Sequence, residues 1–353
     1  MKKLAMIGCG GIGGYHLNHF LQFKDIGLAG FCDIIISRAE EFARRAGSGK
    51  AYIDYRTMLD EVKPDMVFVC IPPHCHGQVE FELIERGIPF FVEKPISIHE
   101  DLARELNKRV AEKGLITAVG FQCRYDNIND AAFDFFKQEQ VIAVQASRVG
   151  GVPEVEWWRN KTQSGGQLIE QTIHQLDILR YLLGEPEYVY SVAGRGYITQ
   201  EEWPGYFTDD ISTTLIVFES GVQATMMTGC YALDGAAWDS KMTFGGRRAR
   251  MDYVLCSNVT IYGLAPEDVA PEMEGGLVIK GDGAMRRSDD EKGIRTNSTV
   301  DFGLICDRTF IDAVITGDPS KIRSPYSDAY KSVMFGLACN KSMETGQPVK
   351  IEY

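Results

Sequence analysis

Several things are scarce in this 353-residue chain, and each scarcity excludes something. No apolar run approaches the length of a membrane-spanning helix, which argues against an integral membrane protein. Positive charge is short: 37 Lys and Arg stand against 49 Asp and Glu, a formal net charge of -12. That balance disfavours a nucleic-acid backbone or an anionic membrane as the main partner, while leaving room for a local phosphate pocket. Only six histidines occur. His74 and His76 flank Cys75, yet no second Cys/His pair follows at zinc-finger spacing, so no metal is expected. Nine cysteines, an odd number, are scattered and lie mostly within apolar runs. They read as buried thiols of a reducing, cytoplasmic compartment rather than a disulfide framework. The segment Met1–Cys9 starts basic, but its apolar run is too short for a secretion signal. No internal repeat or low-complexity tract is evident.

What is present points to two domains, since 353 residues exceed one ordinary core. Leu4–Ile7 is a short apolar strand that ends in Gly8-Cys9-Gly10-Gly11-Ile12-Gly13 and runs into a helix through about Phe23. In a G-x-G-x-x-G between strand and helix, the first glycine permits the turn and the second lets backbone approach a pyrophosphate. The third allows close packing. The helix N-terminus adds unpaired N–H groups for phosphates. A second strand, Gly27–Cys32, ends in Asp33, twenty residues after Gly13, where a carboxylate meets ribose hydroxyls. Asp33 would repel a 2′-phosphate, so NAD is the expected cofactor; Arg38 nearby leaves NADP open.

The alternation continues with a helix over 37–46, a strand at Ala51–Tyr52 and a helix over 55–62. Met66–Ile71 is fully apolar, as in a parallel strand covered on both faces. It ends in Pro72-Pro73-His74-Cys75-His76, at the edge where cofactors lie in doubly wound folds. His76 opens a helix to Arg86, and the strand 89–92 ends in Glu93-Lys94-Pro95. A lysine there would project toward a nicotinamide and could support charge on a reacting oxygen. The competing reading is a solvated lysine in a tight turn. Pro72, His76, Glu93 and Lys94 join the glycine loop, Asp33 and Arg38 as cofactor-binding candidates. A helix over 102–113 and a strand over 115–121 complete six strands, a doubly wound domain over 1–121.

Farther on, Ser164-Gly165-Gly166 leads into an apolar pattern of helical period: Leu168, Ile169, Ile173, Leu176, Leu179, Leu183. On one continuous helix Glu170, His174 and Asp177 form a polar stripe at i, i+4 and i+7. A carboxylate one turn before a histidine can fix its tautomer and raise its basicity, which suits a general base. A surface helix whose polar face happens to hold a histidine fits the same pattern.

The glycine hexapeptide, the Pro72–His76 loop, Glu93-Lys94-Pro95, and Gly165-Gly166 through His174 to Asp177 stand in the order of one family. The chain resembles the glucose–fructose oxidoreductase and inositol dehydrogenase (Gfo/Idh/MocA) family over essentially its whole length. Trp157-Trp158 and the closing Thr345-Gly346-Gln347-Pro348-Val349 belong to the resemblance. It implies that Lys94 is the catalytic lysine and His174 the catalytic histidine. Glu170 stands where many members have aspartate, which lengthens the arm by one methylene. Asp177 matches a usually acidic position, structural rather than catalytic. The family's reactions imply hydride transfer to or from a secondary alcohol of a sugar, sugar acid or cyclitol, by dimers or tetramers.

From Phe121 a helix over 128–136 bridges to a second domain, 122–353, of strand-like runs: 141–149, 188–197, 211–219, 222–230, 241–244, 248–255 and 258–262. These suggest an α+β domain with an open, mostly antiparallel sheet, one face free for a partner subunit in a homodimer or homotetramer. Residues 264–298 read as a mobile surface excursion with one strand at 277–279. Helices over 302–316 and 327–344 close the chain. Trp157 and Trp158 could line the pocket, since indole faces suit sugar rings; packing is the alternative. Arg124, Tyr125, Arg159 and Asp177 are polar candidates for substrate. Two other functions share this architecture: an NAD-dependent glycoside hydrolase and a non-catalytic dinucleotide sensor.

Overall fold

A computed structural model describes residues 1–264 and 293–353, with two short strands between them. The first domain is β1 (Lys2–Ile7), α1 (Gly11–Phe20), β2 (Ile26–Cys32), α2 (Ile36–Ala46), β3 (Lys50–Tyr52), α3 (Tyr55–Val62), β4 (Met66–Val69), α4 (Gln78–Arg86), β5 (Phe90–Val92), α5 (Glu100–Lys113) and β6 (Thr117–Val119). Its six strands are all parallel in the order 3-2-1-4-5-6, the doubly wound arrangement. Every residue of β4 and β5 is buried, because helices cover both faces. Part of that cover comes from the far end of the chain. Phe310 packs edge-on against Phe68 at 5.4 Å, and Phe68 stacks on Phe91 at 4.6 Å.

The second domain begins with α6 (Ile128–Gln138) and β7 (Ala143–Val149). The single-turn helices α7 (Lys161–Ser164) and α8 (Gln167–Glu170) and the longer α9 (Ile173–Leu183) follow. Then come β8 (Pro186–Gly194), β9 (Ile211–Phe218), β10 (Gln223–Gly229), β11 (Asp239–Gly245), β12 (Arg250–Val254) and β13 (Asn258–Tyr262). A small hairpin, β14 (Val278–Ile279) with β15 (Met285–Arg286), precedes β16 (Ile294–Asn297), α10 (Phe302–Thr316), α11 (Tyr326–Thr345) and β17 (Val349–Lys350). The large sheet runs 16-13-12-11-7-10-9-8-17, and β7 with β10 is its one parallel pair. The expected open, mostly antiparallel sheet is therefore present.

Alternation sets its faces. Along β9, Ser212, Thr214, Ile216 and Phe218 are buried while Thr213 and Leu215 are exposed. The covered face packs on α8 and α11, and Gln175 of α9 donates to Ser240 of β11. On the other face Tyr190 pairs with Leu215, and Val192, Thr213 and Met227 fall in one row, leaving apolar side chains exposed.

Two expectations change. The excursion foreseen over 264–298 lies mostly outside the described residues, and its described end is the strand β16 of the large sheet. The foreseen strand at 277–279 is β14, seen as two residues. The helix expected to run unbroken from Gly166 is two helices. Gln167 causes the break: its backbone carbonyl accepts from the N–H of Thr172, five residues on, and its side-chain oxygen accepts from the Thr172 hydroxyl. A bond five residues long widens the turn, so Glu170 and His174 do not share one helical face.

Candidate active site

The glycine loop is shaped as its sequence implies. Gly8 has φ +96°, and a Cβ there would stand 2.1 Å from the Cys70 carbonyl oxygen. At Gly13 a Cβ would be 2.4 Å from the Gly8 carbonyl, so only glycine lets α1 sit this close to β1. Around Gly10 and Gly11 lies open space within 4 Å, and no side chain caps α1. The unpaired N–H groups of the first turn thus face a cradle fitted to a pyrophosphate. Asp33 is buried and accepts from the N–H groups of Cys9 and Ile35, both at 2.8 Å, which fixes its carboxylate beside that loop. Ile12 and Arg38 are exposed at its rim. Pro72 is half-buried after β4. His76 is buried, its Nδ1 2.5 Å from Glu80 and its Nε2 without a partner among the described residues.

Glu93 departs from expectation. Its carboxylate turns into the domain, where Oε1 meets Nε2 of His16 at 3.0 Å. The other nitrogen of His16 meets Asp307 of α10 at 2.8 Å, and the Nδ1 of His19 reaches the same carboxylate at 2.7 Å. Burial opposes charge on His16, but Asp307 and Glu93 outweigh it and push the imidazolium up to about 10. Glu93 is therefore a tie beneath the cofactor loop. The His16, His19 and Asp307 ligand atoms lie within 4.8 Å of one another, a spacing a metal could use. With His16 protonated and both its nitrogens already paired to carboxylates, it offers no lone pair, and the cluster reads as hydrogen-bonded. Nothing in the sequence pattern flagged His16 or Asp307; polar side chains on otherwise buried helix faces were the available signal.

Lys94 points the other way. Its Nζ donates to Glu170 Oε1 at 3.1 Å and to the Glu170 carbonyl at 3.0 Å. Burial works against the ammonium, but Glu170 and Glu93 hold it above the ordinary lysine range. Burial likewise opposes the Glu170 carboxylate, and Lys94 brings it below its usual range. The Trp158 indole N–H donates to Oε2 at 2.7 Å, and the Gln171 amide donates to the same oxygen. One carboxylate thus takes all three donors. Gly165 and Gly166, at φ +79° and +88°, turn the chain to deliver it.

Among the described residues no hydrogen bond joins His174 to Glu170, which departs from the expected carboxylate–histidine pair. The His174 Nδ1 lies 3.9 Å from Cys123 Sγ. Burial first, then the positive charges of Lys94 and Arg148, hold His174 well below the usual histidine range. It is a neutral imidazole beside a charged lysine. Arg148, a residue the sequence did not single out, donates to Gln171 at 2.6 Å and to Cys230 Sγ at 3.7 Å.

Several substrate candidates are structural instead. Arg124 is 2% exposed and forms a two-pronged pair with Asp177, at 2.6 and 2.7 Å, while also donating to the Arg323 carbonyl. The Tyr125 hydroxyl is buried and accepts from the Arg323 N–H. Arg159 donates to the backbone carbonyls of Pro204 and Glu154. Trp158 has no exposed surface and works from behind, through Glu170, whereas Trp157 is half-buried against it. The aromatic cleft lies one layer outward: a cavity of about 300 Å³ lined by Tyr197, Trp203, Tyr231 and Trp238, with Cys230 in its wall. Through Cys230 and Arg148 it adjoins Gln171 and Glu170. No helix among the described residues is long and apolar enough to cross a membrane.

Comparison with known proteins agrees with this geometry. A family model described as "Oxidoreductase family, NAD-binding Rossmann fold" matches residues 2–121, and one described as "Oxidoreductase family, C-terminal alpha/beta domain" matches 138–351. The chain is 31% identical over 225 residues to a scyllo-inositol 2-dehydrogenase (NAD(+)) of Bacillus subtilis. That match covers 62% of this chain and 64% of the relative, less than two thirds of its length. It is 24% identical over 364 residues to a myo-inositol 2-dehydrogenase of Thermotoga maritima, covering 99% of this chain and 98% of the other. The crystal structure of a myo-inositol 2-dehydrogenase from Lactobacillus plantarum shares the fold, with a TM-score of 0.76, 19% identity and 99% of each chain covered.

Proposed function

The chain belongs to the Gfo/Idh/MocA oxidoreductase family, with an NAD-binding Rossmann domain, and from that premise we propose a dehydrogenase acting on a secondary alcohol of a cyclitol or sugar. One observation carries the proposal. Glu170, bonded to the Lys94 ammonium, keeps it charged, while His174, close enough to feel that charge, stays neutral. Two titratable groups driven apart in this way make an electrophile and a base. Two of the three Lys94 N–H bonds are spent on Glu170, leaving the third for a substrate hydroxyl oxygen. With Nδ1 turned to Cys123, His174 has Nε2 to receive the hydroxyl proton. Accepting the hydride from the same carbon is the chemistry that NAD supplies when bound.

The loop Gly8–Gly13 would hold the pyrophosphate and Asp33 the adenosine ribose, with Pro72 and His76 on the nicotinamide side. A carboxylate fixed at Asp33 favours NAD over NADP. Residues 1–121 then serve the cofactor and 122–353 the substrate and self-association. The exposed apolar row on the large sheet suits a second copy of the chain in a dimer or tetramer. Nine unpaired thiols suit a cytoplasmic setting. The aromatic cleft beside Arg148 gives a ring substrate apolar faces to lie against.

The test is formation of reduced cofactor by purified protein with NAD, then NADP, across cyclitols, aldoses, sugar acids and glycosides. Lys94→Ala and His174→Ala run beside the wild type. A substrate turned over by wild type and by neither variant supports the assignment. Turnover that survives both substitutions rejects this pocket as its seat.

A further inference from the structure

The base of the pocket ends in sulfur. Among the described residues, the side-chain hydrogen-bond partner of the His174 imidazole is Cys123, and Cys123 Sγ is itself 3.1 Å from Cys256 Sγ. The two cysteines are 133 residues apart, one in the turn Gln122–Tyr125 and the other in the β12–β13 hairpin, so the fold alone brings them together. Their sulfurs are in contact and need to close by about 1 Å to reach the disulfide length of about 2.05 Å. Cys123 is buried, whereas Cys256 is half-buried on a hairpin turn, which gives a small oxidant access to one member.

We infer that Cys123 and Cys256 form a reversible disulfide that controls the orientation of His174. The co-reactant is hydrogen peroxide. The Cys256 thiolate attacks the O–O bond, a sulfur–oxygen bond forms, and hydroxide leaves and is protonated to water. Cys123 sulfur then attacks the sulfenic sulfur. The S–S bond forms, the S–O bond breaks, and the Cys123 thiol proton departs with the hydroxyl as a second water. Two thiols lose two electrons and one peroxide gains them; an external thiol reverses the change.

The consequence for catalysis follows from the neighbour. In the reduced protein the proposed role of His174 requires the tautomer whose Nδ1–H faces Cys123 Sγ, because that tautomer leaves the lone pair on Nε2 for the substrate proton. Closing the disulfide shifts Cys123 Sγ toward Cys256 and replaces its thiol with a disulfide sulfur, which alters a contact to His174 already at 3.9 Å. Cys123 is thus a positioning residue, and oxidation withdraws its support. This effect on turnover rests on the proposed role of His174; formation of the bond does not.

The experiment treats reduced, full-length protein with graded hydrogen peroxide, blocks remaining thiols by alkylation, and maps peptides by mass. The exposed Cys75 serves as an internal control for oxidant strength. The expected product is a linked peptide pair containing Cys123 and Cys256, lighter by two hydrogens and restored by dithiothreitol. With it, kcat should fall roughly tenfold at nearly constant KM, as expected for a base losing its correct tautomer. Cys256→Ser and Cys256→Ala should keep the reduced activity and resist peroxide. Oxidation of Cys75 while Cys123 and Cys256 remain alkylatable overturns the disulfide. A fully linked protein with unchanged kcat overturns its control of His174. Should no alcohol be oxidised at all, the mass map still decides the disulfide, so the two readings fail separately.

Discussion

His16 is buried and His174 is half-buried in a water-poor setting, yet they carry opposite protonation states. His16 lies between Glu93 and Asp307, and those carboxylates push it up to about 10. His174 has a thiol at 3.9 Å and the charges of Lys94 and Arg148 nearby, so burial is reinforced and the ring stays neutral. Burial penalises charge in both cases; the sign of the neighbours decides the outcome. Glu93 and Lys94 are consecutive at the end of β5 and divide these two regions between them. One side chain closes the structural network under the cofactor loop, and the next enters the pocket.

Removing the charge of Lys94 should break the pocket most severely. Lys94→Ala is expected to lower kcat/KM by about 10³-fold or more, read by steady-state kinetics, because it deletes the electrophile and leaves Glu170 an uncompensated buried charge. His174→Ala should cost roughly 10²–10⁴-fold in kcat and leave NAD affinity, measured by titration, near wild type. A loss of cofactor binding instead would place His174 in the nucleotide site.

Glu170→Gln sharpens the contrast by changing the sign of one neighbour. Burial alone depresses a lysine, and Glu170 is the largest influence opposing that depression. The alkaline limb of the kcat/KM profile should therefore move to lower pH, with a loss of about tenfold to a hundredfold near neutrality. An unmoved limb would show that Glu170 does not set the charge of Lys94.

The smallest effect concerns His16, where stability is the readout. Its pKa is raised from 6.5 to about 10 on folding, so the native state holds a proton that the unfolded chain releases. That stabilisation is complete below pH 6.5 and is lost as pH rises toward 10. The melting temperature should fall across this window in wild type, and less steeply in His16→Gln. Equal slopes would remove the imidazolium from the network.

Much of the fold was legible because its signals are local. Tyr55–Val62, Asn258–Tyr262 and Phe302–Thr316 match the ranges expected from periodicity and turn residues. The glycine loop and Asp33 were legible because only glycine tolerates the φ at Gly8 and the contact at Gly13. The covering of the first sheet by α10 was not, since nothing around Phe310 announces a partner as distant as Phe68. The apolar signal there specifies a buried face without saying against what.

Within the site the division has the same cause. The sequence by itself determined which chemical groups arrive: the phosphate cradle, the lysine at a strand end, the histidine after a double glycine. Tertiary structure alone decided their partners. A bond from Thr172 back to Gln167 broke the helix and parted Glu170 from His174. Glu170 then found Lys94, 76 residues away, and Cys123 took its place beside the histidine, 51 residues away. Periodicity places residues that are near along the chain, whereas hydrogen bonding and charge pairing in a dry pocket depend on which distant atoms the packing brings within about 3–4 Å.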